Sequence, residues 1–204
     1  MEPVIKTILF DLGGVIVSCD FKLAYARLAP LCGCEAAGIP AKIRSTDLVT
    51  RFETGRVGPE QFFEELSAVL GLKISFDEFR DLWTCIFLPQ PLIAEPLLQK
   101  LASHYRLMLL SNTNPIHFDM VKANYPLLRH FHDCVLSYET GAVKPSSKIF
   151  LAAIQRAQCK PEECFFTDDI LINIDAARRH GMDAVQFHSA AQLEDELRAR
   201  KIQL

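Results

Sequence analysis

The sequence predicts an α/β fold in which a doubly wound parallel sheet carries a small inserted helical cap. Five short apolar runs have the length and composition of buried strands, and helical patterns separate the last four of them. Strands and helices that alternate in this way form parallel sheets with helices on both faces. Residues 18–89 show only helical periodicity. We therefore predict one core from residues 1–17 and 90–204, and a cap from residues 18–89.

The predicted elements follow one another in a simple order. The first strand is VIKTILF (4–10), and the cap then contributes the helices FKLAYARLAPL, PEQFFEELSAVLGL and SFDEFRDLWTCIF. Gly71 and Ser75 stand where one cap helix ends and the next begins, and LPQP (88–91) closes the cap. Each remaining strand precedes a helical pattern, and these strands are RLMLL (106–110), DCVLS (133–137), ECFFT (163–167) and DAVQF (183–187).

Composition narrows the classes of function. The 204 residues include 22 basic and 25 acidic side chains, so the net charge of −3 gives no indication of a nucleic-acid partner. No apolar run is long enough to span a bilayer, and MEPVIKT lacks the apolar stretch of a signal peptide. Seven scattered cysteines without a C-x-x-C pair are typical of reduced thiols. We expect a cytoplasmic protein without a membrane partner, whose oligomeric state the sequence leaves open.

Polar residues gather where the predicted strands end. In open α/β sheets the carboxyl ends of the strands meet at one edge, and ligands bind in the crevice there. We therefore expect the polar groups that follow four of the strands to share a single site. In chain order they are Asp11, Ser111, Asn112, Lys144, Asp168, Asp169 and Asn173.

The acidic residues of this set predict a metal ion. Asp11 and Asp169 follow neighbouring strands and repel each other unless a cation lies between them. Oxygen ligands favour a hard divalent ion, with Mg²⁺ as the default. The glycines after Asp11 allow a tight turn that brings the carbonyl of Gly13 close to that ion.

The remaining polar residues predict a phosphate site. Ser111 and Asn112 precede a helix that Pro115 opens, so backbone N–H groups are available to an anion. Lys144 adds a positive charge. A phosphoryl group held in this way beside a carboxylate can be transferred to it, so Asp11 would form an aspartyl-phosphate.

Four stretches of the chain resemble the haloacid dehalogenase-like hydrolase superfamily. They are FDLGGVIV, LLSNT, VKPSSKIF and FFTDDILINIDAA, in the family's order and spread over nearly the whole chain. The resemblance implies a Rossmann-like core and a C1-type cap. DLGGVIVSCDF, FETGRVGPEQF and LLSNTNPIHF are similar to bacterial phosphatases acting on alpha-D-glucose 1-phosphate. An Mg²⁺-dependent phosphatase acting on a small phosphorylated metabolite, such as this sugar phosphate, is therefore favoured.

The resemblance also implies roles for individual residues. Asp11 would be the nucleophile and a metal ligand, and the Gly13 carbonyl and Asp169 would be further ligands. Asp168 would bind the ion directly or support a ligand. Asn173, four residues after Asp169, would lie on the same helix face and orient the metal carboxylates. The phosphate would be held by Ser111, Asn112 and Lys144, of which Lys144 also counts as catalytic.

Gly13 departs from the Asp-x-Asp of most phosphatases in the superfamily, whose second aspartate is a general acid and base worth about 10²–10⁴ in rate. Another group, such as Asp20 or His117, can substitute for it. Alternatively, the leaving group needs little protonation, which we favour because the similar glucose 1-phosphate phosphatases share the glycine. A third interpretation is a weak enzyme or a catalytically silent module that binds a phosphorylated ligand or a partner. A metal-free haloacid dehalogenase is a lesser alternative, since it has no need of two adjacent acids.

Overall fold

The structure is a computed structural model that describes residues 4–204; the first three residues of the predicted core lie outside it. Its strands are β1 (Thr7–Phe10), β2 (Val17–Cys19), β3 (Phe87–Pro91), β4 (Arg106–Ser111), β5 (Asp133–Leu136), β6 (Cys164–Asp168) and β7 (Asp183–Gln186). Its helices are α1 (Phe21–Cys32), α2 (Ile39–Arg44), α3 (Leu48–Glu53), α4 (Pro59–Leu70), α5 (Phe76–Thr84), α6 (Glu95–Ala102), α7 (Pro115–Asn124), α8 (Ser137–Thr140), α9 (Ser147–Ala157), α10 (Leu171–Arg179) and α11 (Ala190–Ala199).

Five of the strands form one parallel sheet in the order β5-β4-β1-β6-β7. Side chains of the central strand β1 alternate between the two faces, so Ile8 and Phe10 belong to one buried cluster and Leu9 to another. Helices cover both clusters, which confirms the predicted doubly wound α/β fold. Phe10 pairs with Leu109 and Thr167, so the three central strands end at the same edge.

The sequence predicted only helices in residues 18–89, but the structure also has two strands there. β2 and β3 pair antiparallel at the base of this segment, and LPQP, predicted only as the end of the cap, lies in β3. Helices α2 and α3 were not predicted, because six residues are too few to show a helical period. The division into core and cap stays a prediction, and residues 18–89 are called the cap segment below. No helix among residues 4–204 is long and apolar enough to cross a membrane.

The cap segment has its own apolar interior, built around stacked aromatic rings. The rings of Phe52 and Phe62 lie 4.2 Å apart, and Phe62 meets the edge of Trp83 at 5.1 Å. Helix α4 buries Phe62, Leu66 and Leu70 at helical spacing along one face. Packing of this kind fixes the helices of the cap segment relative to one another.

We predict that Phe62→Ala lowers the free energy of unfolding by about 3–5 kcal/mol, since it leaves a cavity among packed rings. Urea denaturation followed by fluorescence measures this directly, because Trp83 is the single tryptophan of the chain. The control is Val69→Ala in the same helix, where a side chain 38% exposed should change the value by no more than about 0.5 kcal/mol. Equal losses for the two variants would show that the ring cluster does not stabilise the cap segment.

Candidate active site

A cavity of about 360 Å³ lies where the sheet edge meets the cap segment. Its wall on the sheet side comes from the ends of β1, β4 and β6 and the loop before α9, so the topology brings together groups far apart in the sequence. Asp168 is buried directly beside it and contacts the lining residue Lys144. The sequence-predicted residues in the cavity wall are Asp11, Gly13, Ser111, Asn112, Lys144, Asp169 and Asn173.

Lys144 is the centre of a buried ion cluster. Its Nζ lies 2.8 Å from Oδ1 of Asp11 and 2.6 Å from Oδ2 of Asp168, and it donates to the carbonyl of Leu110 at 2.7 Å. Burial acts to lower the pKa of Lys144, but its attraction to the two carboxylates is larger in sum and raises the pKa. The ammonium therefore stays charged and places both carboxylates.

Asn112 lines the cavity and also fixes the backbone of Lys144. Its Nδ2 donates to the carbonyl of Lys144 at 3.0 Å, and its Oδ1 accepts from the N–H of Lys144 at 2.7 Å. Each of these bonds uses one of two donors or one of two acceptor sites, so a second N–H of the amide has no partner within residues 4–204. A phosphate contact of Asn112 stays a prediction.

The helix end predicted to bind an anion is partly occupied by its own cap. Helix α7 begins at Pro115, and Oδ1 of Asn114 accepts from the N–H of His117 at 3.0 Å. That N–H group is therefore not available to an anion. Ser111, buried at the end of β4, is the predicted phosphate ligand whose hydroxyl has only a weak partner, the carbonyl of Asn112 at 3.5 Å.

Both carboxylate oxygens of Asp168 accept hydrogen bonds. Oδ1 accepts from the N–H of Ile170 at 2.8 Å and from Nδ2 of Asn173 at 3.0 Å. Oδ2 accepts from Asn173 at 3.1 Å and from Lys144. Asp169 precedes α10, which begins at Leu171, so the helical spacing predicted between Asp169 and Asn173 does not apply. Asn173 nevertheless orients a carboxylate of the acidic group as predicted, namely that of Asp168.

Asp169 is the exposed member of the acidic group, and its carboxylate has no hydrogen-bond partner on another residue within 4–204. Burial raises its pKa, and the charge of Asp168 raises it further. Burial likewise raises the pKa of Asp11 to about 7, with Asp168 adding to the shift and Lys144 opposing it. Oxygens of the three carboxylates lie within 4.8 Å of one another. When all three are ionised, they exceed the single ammonium of Lys144 by two negative charges, which a bound cation would compensate.

The two glycines after Asp11 have different tasks. Gly14 has φ +79°, and a Cβ there would lie 2.5 Å from Oδ2 of Asp169, so this glycine makes room for that carboxylate. Gly13 does not have a positive φ, and a Cβ there would meet only Sγ of Cys19 at 3.6 Å. A side chain at residue 13 is therefore sterically allowed.

Of the two predicted substitutes for the missing acid, His117 uses both ring nitrogens within the protein, and Asp20 is not among the residues that line the cavity. Nδ1 of His117 is 3.0 Å from Nδ2 of Asn114, and its Nε2 donates to the carbonyl of Trp83 at 3.0 Å. Burial lowers the pKa of His117 to about 4, so the ring is neutral and both nitrogens are used. Asp20 caps α1 by accepting from the N–H of Lys22 at 3.0 Å. Both residues stabilise the fold.

The residues of the cap segment that line the cavity were not predicted from the sequence. Cys19, Glu53 and Phe87 line it, with Ser18, Phe21 and Ile86. Glu53 is half-buried at the end of the short helix α3, which carries no periodic signal. FETGRVGPEQF contributed to the family resemblance, but no role was predicted for Glu53 within it.

The residues present suit a divalent cation. Carboxylates and a backbone carbonyl are the ligands that Mg²⁺ prefers, at about 2.1 Å each. The surplus of two negative charges matches its charge, and Asp169 has a carboxylate without a competing donor. Asp168, by contrast, has no oxygen left without a partner.

A doubly wound parallel sheet with an acidic crevice at its carboxyl edge and inserted helices across it is the architecture of an α/β enzyme. The particular family follows from comparison. The chain belongs to the haloacid dehalogenase-like hydrolases, whose family model matches residues 5–181.

Known proteins of the family are similar over nearly the whole chain. The D-ribitol-5-phosphate phosphatase of Bacteroides thetaiotaomicron is 29% identical over 199 residues, which cover 95% of this chain and 97% of that protein. An HAD family enzyme of the same organism, crystallised with magnesium and inorganic phosphate, has a TM-score of 0.83 at 29% identity, over 91% of this chain and 95% of that chain.

Two further solved structures extend the comparison. A predicted HAD-like family hydrolase from Porphyromonas gingivalis has a TM-score of 0.82 at 28% identity, over 98% of this chain and all of its own. The L-2-haloacid dehalogenase of Xanthobacter autotrophicus, at 17% identity and a TM-score of 0.64 over 98% of this chain and 85% of that chain, shares the fold alone. The expected likeness to glucose 1-phosphate phosphatases stays a prediction.

We predict that Lys144→Met lowers the free energy of unfolding by about 3–5 kcal/mol, because it leaves two buried carboxylates without their cation. Chemical denaturation measures the loss. The control is Lys148→Met nearby, at an exposed lysine, where a change of no more than about 0.5 kcal/mol is expected. A loss at Lys144 as small as the control's would mean that its ion pairs do not hold the site together.

Proposed function

We propose that this protein is an Mg²⁺-dependent phosphatase that hydrolyses a small phosphorylated metabolite through an aspartyl-phosphate at Asp11. The single observation that carries the proposal is the pair of uncompensated negative charges beside Lys144, on carboxylates within 4.8 Å of one another. A divalent cation compensates them and draws a phosphate dianion into an otherwise repulsive site.

The metal-binding residues of the proposal are Asp11, Asp169 and the carbonyl of Gly13. Asp168 supports them, since its oxygens are taken by Lys144, Asn173 and a backbone N–H. When bound, Mg²⁺ neutralises charge on the phosphoryl oxygens. Support of a ligand by neighbouring hydrogen bonds is the usual way in which proteins orient metal sites.

Asp11 is oriented for attack by contacts that fall on one of its oxygens. The N–H of Leu12 donates to Oδ1 at 2.7 Å, and Lys144 lies 2.8 Å from the same atom. Within the described chain, Oδ2 has no such partner and is the oxygen available to the phosphorus. Lys144 opposes the rise in the pKa of Asp11 that burial causes. Ser111, at the end of the neighbouring strand, faces the same cavity and holds the phosphate.

The substrate favoured is a sugar or polyol phosphate. A cavity of about 360 Å³ suits a molecule of this size. The similar enzyme of known activity acts on D-ribitol 5-phosphate, and the sequence motifs favour glucose 1-phosphate. A metal-free dehalogenase is less compatible with the site, because two surplus negative charges repel a halogenated carboxylate.

We predict that phosphate release from D-ribitol 5-phosphate or alpha-D-glucose 1-phosphate requires Mg²⁺ and is lost in Asp11→Asn, which removes the nucleophile. Malachite green assays with and without EDTA measure it. The control is Asp175→Asn, a half-exposed acid on α10 that pairs only with Arg178 at 3.7 Å. Release by Asp11→Asn at the wild-type rate would exclude the aspartyl-phosphate, and binding without turnover of any phosphate ester would favour the silent module.

Metal affinity should depend on Gly14, because a side chain there displaces the carboxylate of Asp169. We predict that Gly14→Ala raises the Mg²⁺ concentration for half-maximal activity by about 10–100-fold. Titration of activity with Mg²⁺ measures the shift. Gly58→Ala, where a Cβ meets nothing within 4 Å, is the control. An unchanged Mg²⁺ requirement in Gly14→Ala would remove Asp169 from the set of metal ligands.

A further inference from the structure

We propose that Glu53, on the cap segment, is the general acid and base that Gly13 does not supply. This inference rests on the proposed function, since it assigns the proton transfers of the same reaction. It concerns a residue of the cap segment that lines the same cavity as the nucleophile.

The cavity has a phosphate side and a leaving-group side. Asp11, Ser111, Lys144 and Asp169 all come from the sheet edge, so a phosphoryl group bound to them directs its ester oxygen towards the cap segment. The cap segment contributes several apolar side chains, among them Phe21, Ile86 and Phe87. Glu53 is the carboxyl group on that side.

The other titratable residues that line the cavity already have tasks or cannot move a proton. Asp11 and Lys144 form the buried ion cluster, and Asp169 is the exposed carboxylate of the metal site. His117 uses both ring nitrogens within the protein. Burial, with the charges of Asp11 and Asp169, raises the pKa of Cys19 to about 12, so its thiol stays neutral and is a poor base.

Glu53 has the properties that such a proton carrier needs. Within residues 4–204 its side chain has no hydrogen-bond or salt-bridge partner, although its neighbour Arg51 pairs with Glu65 at 2.8 and 3.0 Å. A half-buried carboxyl without a partner is costly unless a ligand completes it. Burial also raises the pKa of Glu53 to about 7, so acid and carboxylate coexist near neutral pH.

The backbone next to Glu53 is held against the core. Gly55 has φ +67°, and a Cβ there would lie 2.2 Å from the carbonyl oxygen of Tyr138, so only glycine allows this approach. The carbonyl of Thr54 is also close to Gly141 of the core, 3.9 Å from the position of a Cβ. These contacts fix the end of α3 over the cavity.

The proton transfers balance over the two steps. Oδ2 of Asp11 bonds to phosphorus as the ester P–O bond breaks, and protonated Glu53 gives its proton to the departing alkoxide, which leaves as an alcohol. Water then attacks the phosphorus and gives a proton to the Glu53 carboxylate. The Asp11–phosphorus bond breaks, inorganic phosphate leaves, and both side chains return to their first state.

The test compares two leaving groups in Glu53→Gln, a variant of the same shape that cannot exchange a proton. Glycerol 3-phosphate has a poor leaving group that needs protonation, whereas p-nitrophenyl phosphate has a good one. With saturating Mg²⁺, we expect kcat on glycerol 3-phosphate to fall by about 10²–10⁴-fold, and on p-nitrophenyl phosphate by at least tenfold less. The exposed Glu64→Gln on α4 is the control, and thermal melting checks that each variant folds.

A second variant provides a rescue. Because the space beside Gly13 is open apart from Cys19, Gly13→Asp added to Glu53→Gln should restore at least a tenth of the lost kcat on glycerol 3-phosphate. Equal losses on both substrates, or a higher KM with kcat unchanged, would overturn the assignment. Turnover that needs Asp11 but not Glu53 would overturn it while leaving the phosphatase intact, whereas a wild-type protein inactive on both esters would refute the proposed function itself.

Discussion

The site depends on one buried interaction, the ammonium of Lys144 between the carboxylates of Asp11 and Asp168. Neither carboxylate could be buried as an anion without it, because removing a charge from water costs several kcal/mol in order of magnitude. Two sets of hydrogen bonds support this interaction. Asn112 binds the backbone of Lys144, and Asn173 binds the carboxylate of Asp168. They hold the lysine and its second partner in place, while the contacts of Asp11 fall on Oδ1 and leave its Oδ2 without a partner among the described residues.

The same constraint explains why two adjacent aspartates have different surroundings. Asp168 ends β6 and points to the lysine, with all its oxygens satisfied, while Asp169 is the next residue and lies across the turn against Gly14. Successive side chains of a strand point to opposite sides, so one position can serve the interior and the next the crevice. The glycine that the turn requires is therefore Gly14. The turn does not require a glycine at residue 13. The absence of a side chain there therefore affects the chemistry of the site, because it removes the usual general acid.

The sequence was sufficient for the sheet and for the residues at its edge, because apolar strands and the polar groups after them are local signals. It was not sufficient for the partners of those groups. The sequence did not show that the amide of Asn112 binds the Lys144 backbone, or that Asn173 reaches Asp168 and not Asp169. Such pairings depend on register between distant segments. The short helix α3 escaped prediction for a different reason, since six residues do not establish a period.

In the reaction that we propose, the general acid is Glu53 and not a side chain at residue 13, and this changes how the position of the acid is determined. An aspartate two residues after the nucleophile is placed by the covalent chain, whereas Glu53 is placed by the contact of Gly55 with Tyr138. Its distance from Asp11 therefore depends on how closely the cap segment lies on the core. In the proposed reaction, proton transfer therefore depends on that contact, and apolar residues of the cap segment line the same cavity and limit its access to water. The position of the acid and the exclusion of water are thus properties of one interface.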